Sequence, residues 1–457
     1  MINKKLDYRA NSSVIRKLVL RCLVQLERRN SQIAPVIDMV IRQNQLNNVD
    51  RGLLTEIVYG AIRWRGHLDW IIRQFVKPDF QLDLQMRNIL RIGVYQLLYL
   101  DKIPAHAAIN ETVKLANQKG QKSKNFVNAI LRSIQRSTNS LTPPRFKLDP
   151  ISHISTKLSY PGWLVKKWIR QSNPEWTLKF CHASNQVAPV SIRTNTLRTD
   201  RKKLAKSLQE DGNQVVESQI SPDGLLLTKT NPIRSLSDFQ AGLFQIQDEA
   251  AQLVSHLLDP QEKSQIVDLC ASPGGKTTHL AQLVGNVTNI VAIDLSTKKI
   301  KRIQENCKRL GITNVRTQVA NATTDEIKAL ATADSILIDA PCSGTGTLRR
   351  HPDIRWKRTA KQIVDLANLQ LEILIKTAMQ IKSGAVIIYS TCSTEVEENQ
   401  GVITRFLEVC PQFAVEPAHD FLPFLPADAI TSEGHLQVFP HTHKVDGTFA
   451  VRLRKND

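Results

Sequence analysis

The stretch Gln265-Ile-Val-Asp268-Leu-Cys270-Ala-Ser-Pro-Gly274-Gly-Lys276-Thr277 decides the fold. A short β-branched run reads as a buried strand. It stops at a Gly-rich turn, and the amphipathic stretch from Thr277 to Val284 reads as the helix that the turn opens. Such a turn lets a ligand approach bare backbone amides at a helix N-terminus. A phosphate loop would need an opening Gly where Cys270 stands, and the G-x-G-x-x-G pattern of dinucleotide sites is also missing. What remains suits a nucleoside that carries an amino acid, with Cys270, Ala271, Ser272, Pro273, Gly274, Gly275 and Lys276 around its carboxylate and Asp268 nearby.

Downstream of this turn, short apolar runs alternate with amphipathic stretches. Ile290 to Asp294, Val315 to Ala320, Ser335 to Asp339 and Ala385 to Tyr389 read as strands. Thr297 to Leu310, a long stretch near 360–381 and another from about 396 read as helices. This rhythm predicts a mostly parallel sheet covered by helices, over 241–457. Ligands in such sheets sit at the carboxyl ends of the strands. Asp294 ends the next strand and can accept both hydroxyls of a ribose; Asn321 follows the strand after it. Asp339-Ala-Pro-Cys342-Ser-Gly-Thr-Gly346 and Ser390-Thr-Cys392-Ser393 each put a cysteine just past a strand end. A single cysteine is usually a small buried apolar residue. Two at adjacent strand ends, one beside Asp-Ala-Pro, point to thiol chemistry in one cleft.

Upstream, residues 155–240 mix helix and strand signals, with Tyr160-Pro-Gly-Trp163 opening a helix, Val190 to Thr194 a strand and Lys202 to Gln209 a helix. Trp163, Trp168 and Trp176 read as core residues. From 12 to 136 the periodicity is helical, with Val14, Leu18, Val19 and Cys22 on one stripe and Ile89, Ile92, Gly93, Gln96 and Leu97 on another. Ser140-Leu-Thr-Pro-Pro and Asp149-Pro150 interrupt it as a linker. The divisions expected are therefore 1–140, 141–240 and 241–457.

The chain has 61 Lys+Arg against 42 Asp+Glu among 457 residues, a formal charge of +19. Residues 1–140 carry +13 of it, with 23 basic and 10 acidic side chains. Solubility alone does not call for such asymmetry, whereas a polyanion met first by the N-terminal part does. With 42% hydrophobic residues the chain can build real cores. Met1 to Ala10 lacks a signal-peptide core, and no apolar run has the length of a membrane span. The seven cysteines form no C-x-x-C pair, so neither a disulfide framework nor a zinc site is expected. His441 and His443 read as a surface loop. No metal and no membrane partner are expected; a reducing cytoplasm is.

Taken together, these motifs resemble the RNA 5-methylcytosine methyltransferase family, also called the Sun family. Asp50-Arg-Gly-Leu-Leu-Thr-Glu-Ile-Val-Tyr-Gly60, Pro104-Ala-His-Ala-Ala-Ile-Asn110 and Asn125-Phe-Val-Asn-Ala-Ile-Leu-Arg132 resemble the NusB-like RNA-binding domain of a bacterial ribosomal member. Arg193-Thr-Asn195 and Gln247-Asp-Glu249 resemble segments that precede the family's catalytic fold. The resemblance implies an all-α NusB-like domain, a small α+β linker domain and a Rossmann-like α/β methyltransferase domain. The implied cofactor is S-adenosyl-L-methionine and the implied partner small-subunit ribosomal RNA, met by a monomer. Two positions depart from the family pattern. Asn321 stands where an Asp contacts the cofactor's adenine, and Gly447-Thr-Phe449 replaces Gly-Phe-Phe.

Carbon 5 of cytosine is a poor nucleophile until a thiolate adds to carbon 6. By resemblance Cys392 attacks and Cys342 assists elimination, with Asp339 bonded to nitrogen 3 and the amino group of the base. In DNA cytosine-5 methyltransferases the Pro-Cys cysteine attacks, so the swapped assignment competes. Lys276 is a second candidate, for the cofactor carboxylate or for thiolate stabilisation. The same chemistry on transfer RNA or large-subunit RNA is the nearest alternative. A non-catalytic RNA-binding scaffold would explain the basic helices but not two strand-end cysteines. An NTP-driven enzyme fails on the phosphate-loop spacing.

Overall fold

A computed structural model describes residues 8–137 and 140–457. The first seven residues of the N-terminal stretch without a signal-peptide core lie outside the described residues. The chain forms two compact units, one of residues up to 185 together with 351–357, the other of 186–350 and 358–457. The expected divisions at 140 and 240 thus fall inside units.

The first unit is helical from Tyr8–Arg29 through Pro174–Ser184. Its core gathers Ile15, Val19, Leu54, Ile57, Ile89, Ile92 and Leu131, all buried, at the three- and four-residue spacings of the sequence. Gly60 must lack a side chain, because a Cβ there would lie 1.9 Å from the Tyr95 ring, whose hydroxyl donates to Glu56 at 2.6 Å. Arg91, 2% exposed, is held between Glu27 (2.6 Å) and Asp69 (2.7 Å). Of the three tryptophans, Trp168 is buried, while Trp163 and Trp176 are half-buried, Trp176 stacking on Phe180 at 5.1 Å. Residues 351–357 belong to this unit despite their place in the sequence. The Trp356 indole donates to the Ile62 carbonyl at 2.8 Å, and Arg355, fully buried, lies over the Tyr160 ring and donates to Asn185 at 2.8 Å.

The second unit contains two sheets. Strands β1 (Val190–Thr194), β2 (Gln214–Glu217), β3 (Gly224–Lys229) and β4 (Phe244–Ile246) form an antiparallel sheet in the order β2-β3-β1-β4. The larger sheet holds β5 (Ile266–Leu269), β6 (Ile290–Asp294), β7 (Val315–Val319), β8 (Ser335–Asp339), β9 (Val386–Thr391), β10 (Phe413–Glu416), β11 (Leu436–Val438) and β12 (Thr448–Lys455). Its order is β10-β12-β9-β8-β5-β6-β7, with β11 on β12. Strands β5 to β9 are mutually parallel, whereas β12 returns antiparallel to β9. Strand order reverses at β5, between β6 and β8, which opens a crevice at its carboxyl end. β5 and β9 are buried along their whole length, as strands covered on both faces must be. The helix Thr297–Leu310 keeps its predicted bounds: Ser296 caps its first turn, Ile300, Ile303, Cys307 and Leu310 face the core, and Gly311 ends it at φ 74°. His443 corrects the expected surface loop. Its side chain is 4% exposed and its Nδ1 accepts from the Phe439 amide at 3.0 Å, closing the short helix Pro440–His443.

Asp223, His256 and His279, distant in sequence, meet within the second unit. Both imidazole Nε2 atoms lie on one Asp223 oxygen, at 3.2 and 3.1 Å. Burial of His279 pushes its imidazole down to about 3, helped by nearby Arg193, so the folded protein holds it neutral. The unfolded chain takes up that proton near the ordinary histidine value, and folding stability therefore declines as pH falls from about 6.5 toward 4. Replacing His279 with Gln, which can still donate to Asp223, should flatten that decline by up to about 1.4 kcal/mol per pH unit. Urea unfolding at several pH values checks this, and an unchanged slope would contradict it.

Candidate active site

At the end of β5 the chain enters a turn that only some residues tolerate. Cys270 has φ 61° and Gly274 φ 93°, and the Ser272–Pro273 peptide is cis. This conformation brings the Ser272 amide to Asp294 Oδ2 at 3.0 Å and starts the helix Gly275–Leu283. Asp268 is fully buried, and burial pushes its carboxyl up to about 7. One of its oxygens accepts from Thr277 at 2.5 Å; the other, Oδ1, is buried with no hydrogen-bond partner. An orphaned carboxylate oxygen beside a Gly-rich turn fits a ligand that brings an ammonium group. The Asp294 Oδ1 accepts from the Leu295 amide at 2.7 Å and lies 2.8 Å from Lys299, whose side chain is half exposed. Asn321 lies two residues past Val319 of β7, the register partner of Asp294. Its Oδ1 already accepts from the Thr323 amide and hydroxyl at 3.0 and 2.9 Å, which leaves the Nδ2 donor as its free recognition group.

The Arg193-Thr-Asn and Gln247-Asp-Glu segments meet at the first turn of this helix. Fully buried, Arg193 donates to the Gly275 carbonyl (2.6 Å), Thr278 Oγ1 (3.0 Å), Gln282 (2.9 Å) and Gln247. Asn195 donates to the Gly242 and Leu310 carbonyls. These segments bolt the small sheet to the catalytic sheet and fix the helix end that faces the crevice.

Asp339 ends β8 directly opposite Ser390 of β9, and the Ser390 hydroxyl donates to it at 3.1 Å. Lys276 lies 2.6 Å from the other Asp339 oxygen. Burial works against the Lys276 charge, but the charge and hydrogen bond of Asp339 overcome it and raise the ammonium pKa. Past the strand ends, Cys342 and Cys392 bring their sulfurs to 3.2 Å. Both thiols are half-buried. The contact with Cys392 and burial, with the Glu398 and Asp339 charges behind them, push the Cys342 thiol well above the ordinary range.

A backbone contact also joins the two loops. The Gly346 amide donates to the Cys392 carbonyl at 2.9 Å, and a Cβ at Gly346 would strike the Gly447 carbonyl at 2.1 Å. Arg358 donates to the Ser343 and Cys342 carbonyls at 2.9 and 3.3 Å. The altered Gly447-Thr-Phe449 segment pairs within the sheet, its Phe449 buried and edge-on to His435. The structure therefore groups Asp339, Lys276, Cys342 and Cys392 at one place, and the 270–276 turn with Asp268, Asp294 and Asn321 along the neighbouring strand ends. Glu398, Gln370 and Arg358 escaped sequence reasoning. No motif announces them, and they reach the site only through the fold.

Three profiles match successive parts of the chain: the NusB family over residues 13–136, a ferredoxin-like domain of RsmF/B-like methyltransferases over 160–234, and the family described as 16S rRNA methyltransferase RsmB/F over 255–454. A probable ribosomal RNA small subunit methyltransferase B of Bacillus subtilis is 35% identical, covering 96% of this chain and 98% of its own. The ribosomal RNA small subunit methyltransferase B of Yersinia enterocolitica is 32% identical over 97% and 99%. Among solved structures, PH0851 covers 97% of this chain and 99% of its own at 29% identity, with a TM-score of 0.80. NSun6 of Pyrococcus horikoshii, 23% identical, shares the fold over 65% of this chain and 99% of its own with a TM-score of 0.57. With its three matched regions, its full-length relatives and a crevice built for an amino-acid-bearing nucleoside, the chain belongs to the RsmB/F family and is an S-adenosylmethionine-dependent ribosomal RNA methyltransferase.

Proposed function

We propose that this enzyme methylates carbon 5 of a cytosine in small-subunit ribosomal RNA through a covalent adduct with Cys392. The observation that carries this is the pair of thiols 3.2 Å apart at adjacent strand ends, with the Lys276–Asp339 pair beside them. The Gly-rich turn, Asp268 and Asp294 would hold S-adenosylmethionine, which when bound supplies an electrophilic methyl group. Cys392 forms a bond to carbon 6, and the electron pair of the carbon 5–carbon 6 bond becomes available at carbon 5. The Cys392 thiol proton passes to nitrogen 3 as the bond to carbon 6 forms, and Asp339 accepts from that N–H and from the amino group, stabilising the adduct. After methylation a water molecule takes the proton from carbon 5, the electron pair of that bond re-forms the double bond to carbon 6, and the Cys392–carbon 6 bond breaks. Cys342, whose thiol is pushed well above the ordinary range, donates its proton as the Cys392 sulfur departs and regains one from water. The base reaches this crevice unstacked.

The partner and setting follow from charge and thiols. The helical unit exposes Lys17, Arg21, Arg28 and Lys114 around one groove, with Leu20, Val24 and Leu115 between them. A basic groove with an apolar floor suits an RNA backbone with a base laid against it. Seven free cysteines suit a reducing cytoplasm, and no helix among the described residues is long and apolar enough to cross a membrane. We assign the enzyme to the cytoplasm as a monomer.

Two experiments test this reading. Cys392→Ser should be inactive and form no adduct, whereas Cys342→Ala should methylate once and then accumulate an enzyme–RNA complex that survives a denaturing gel. Exchange of the two phenotypes would establish the swapped assignment, and loss of neither activity nor release in both would end the covalent reading. Replacing Lys17, Arg21, Arg28 and Lys114 together by Gln should reduce the slope of log affinity for RNA against log salt by about 0.7 for each phosphate no longer neutralised. An unchanged slope would place the RNA elsewhere.

A further inference from the structure

Each catalytic thiol is followed by a serine, Cys342-Ser343 and Cys392-Ser393, and both serines converge on one carboxylate. Glu398 is fully buried. Its Oε1 accepts from the Ser343 amide at 2.7 Å and from Gln370 Nε2 at 2.9 Å. Its Oε2 accepts the hydroxyls of Ser343 and, at 2.5 Å, Ser393. The two serine hydroxyls are themselves 3.0 Å apart. Gln370 also donates to the Pro341 carbonyl at 2.9 Å, one residue before Cys342. The Tyr389 hydroxyl donates to the Glu398 carbonyl at 2.6 Å. Four donors on one carboxylate is near its full capacity, and every one of them comes from a loop that carries a catalytic cysteine or from the element that braces it.

We infer that Glu398 is a positioning residue: by accepting from Ser343 and Ser393 at once, it clamps the two cysteine loops together and sets the distance between the thiols. The inference rests on the reading that both thiols act on the base, since only then does their separation matter to turnover. Strand pairing alone aligns Asp339 with Ser390. Beyond that pair the two chains leave the ladder; the Gly346 amide on the Cys392 carbonyl ties them once, and the Glu398 carboxylate ties them again beside the thiols. A buried carboxylate serves as that second tie, because leaving any of its four donors without an acceptor would strand a polar group in the interior. Its charge is not what the clamp requires. Burial pushes the Glu398 carboxyl up even though Ser343, Ser393 and Gln370 pull it down. A neutral amide at the same place could receive two of the donors, while the serine hydroxyls turn to receive its N–H groups.

The test uses the full-length protein and a ruler that needs neither RNA nor cofactor. Diamide, a diazene oxidant, takes two hydrogens from a thiol pair: a sulfur–sulfur bond forms between Cys342 and Cys392, and the diazene is reduced to a hydrazine. The rate of that closure, followed by non-reducing peptide mapping, reports how closely the loops hold the thiols. Glu398→Ala should slow closure by at least about tenfold and lower kcat comparably, while the S-adenosylmethionine dissociation constant stays within about twofold. Glu398→Gln should restore both to within about threefold of the parent. Closure at the parent rate in Glu398→Ala would overturn the clamp, and so would a Gln variant as impaired as the Ala variant. Slowed closure with unchanged kcat would leave the clamp standing and overturn the covalent reading beneath it. Should Glu398→Ala fail to fold, Ser393→Ala removes one donor and leaves the carboxylate; parent-rate closure there would overturn the proposal.

Discussion

Strands β8 and β9 run parallel with Asp339 opposite Ser390, and the active site depends on that register. A slip by one residue would turn each side chain to the opposite face and separate the two cysteine loops. With the register kept, Asp339 meets Lys276 from the Gly-rich turn, Cys342 meets Cys392, and the Gly346 amide meets the Cys392 carbonyl. The parallel pairing is itself possible because the sheet is covered on both faces, so β5, β8 and β9 are mostly apolar and almost wholly buried. The long helix Ala360–Gln380, started by a Thr359–Gln362 capping box, is part of that cover and brings Gln370 to the cysteine loops.

Electrostatics divide the crevice into regions with separate tasks. Asp268 keeps an unmatched oxygen in a buried setting, and Asp294 faces the same turn from the neighbouring strand. At the cysteines, the Lys276 ammonium lies beside Asp339, and the contact with Cys392 and burial raise the Cys342 thiol, with the Glu398 and Asp339 charges behind them.

The parallel sheet was legible because its strands are short, apolar and separated by amphipathic helices, and because its chemistry sits at strand ends where Asp and Cys stand out. The helix Thr297–Leu310 could be bounded to the residue, since Ser296 and Gly311 mark both ends. Long-range placement was not legible. Residues 351–357 carry no signal that Trp356 and Arg355 pack into the helical unit. His443 looked like a loop residue because only the fold brings it to the Phe439 amide. Glu398 was missed for a related reason: a glutamate reads as surface, and its four donors come from positions 343, 370 and 393.

The central claim is that Cys392, and not its neighbour, bonds to the base. A ribosomal RNA fragment carrying 5-fluorocytosine tests it most directly, because fluorine at carbon 5 cannot leave as a proton does and the adduct is trapped. Digestion of the trapped complex and mass spectrometry then read which peptide carries the nucleotide. The account predicts the modification on Cys392 alone, in the wild-type enzyme and in the presence of S-adenosylmethionine. A nucleotide found on Cys342 would contradict it.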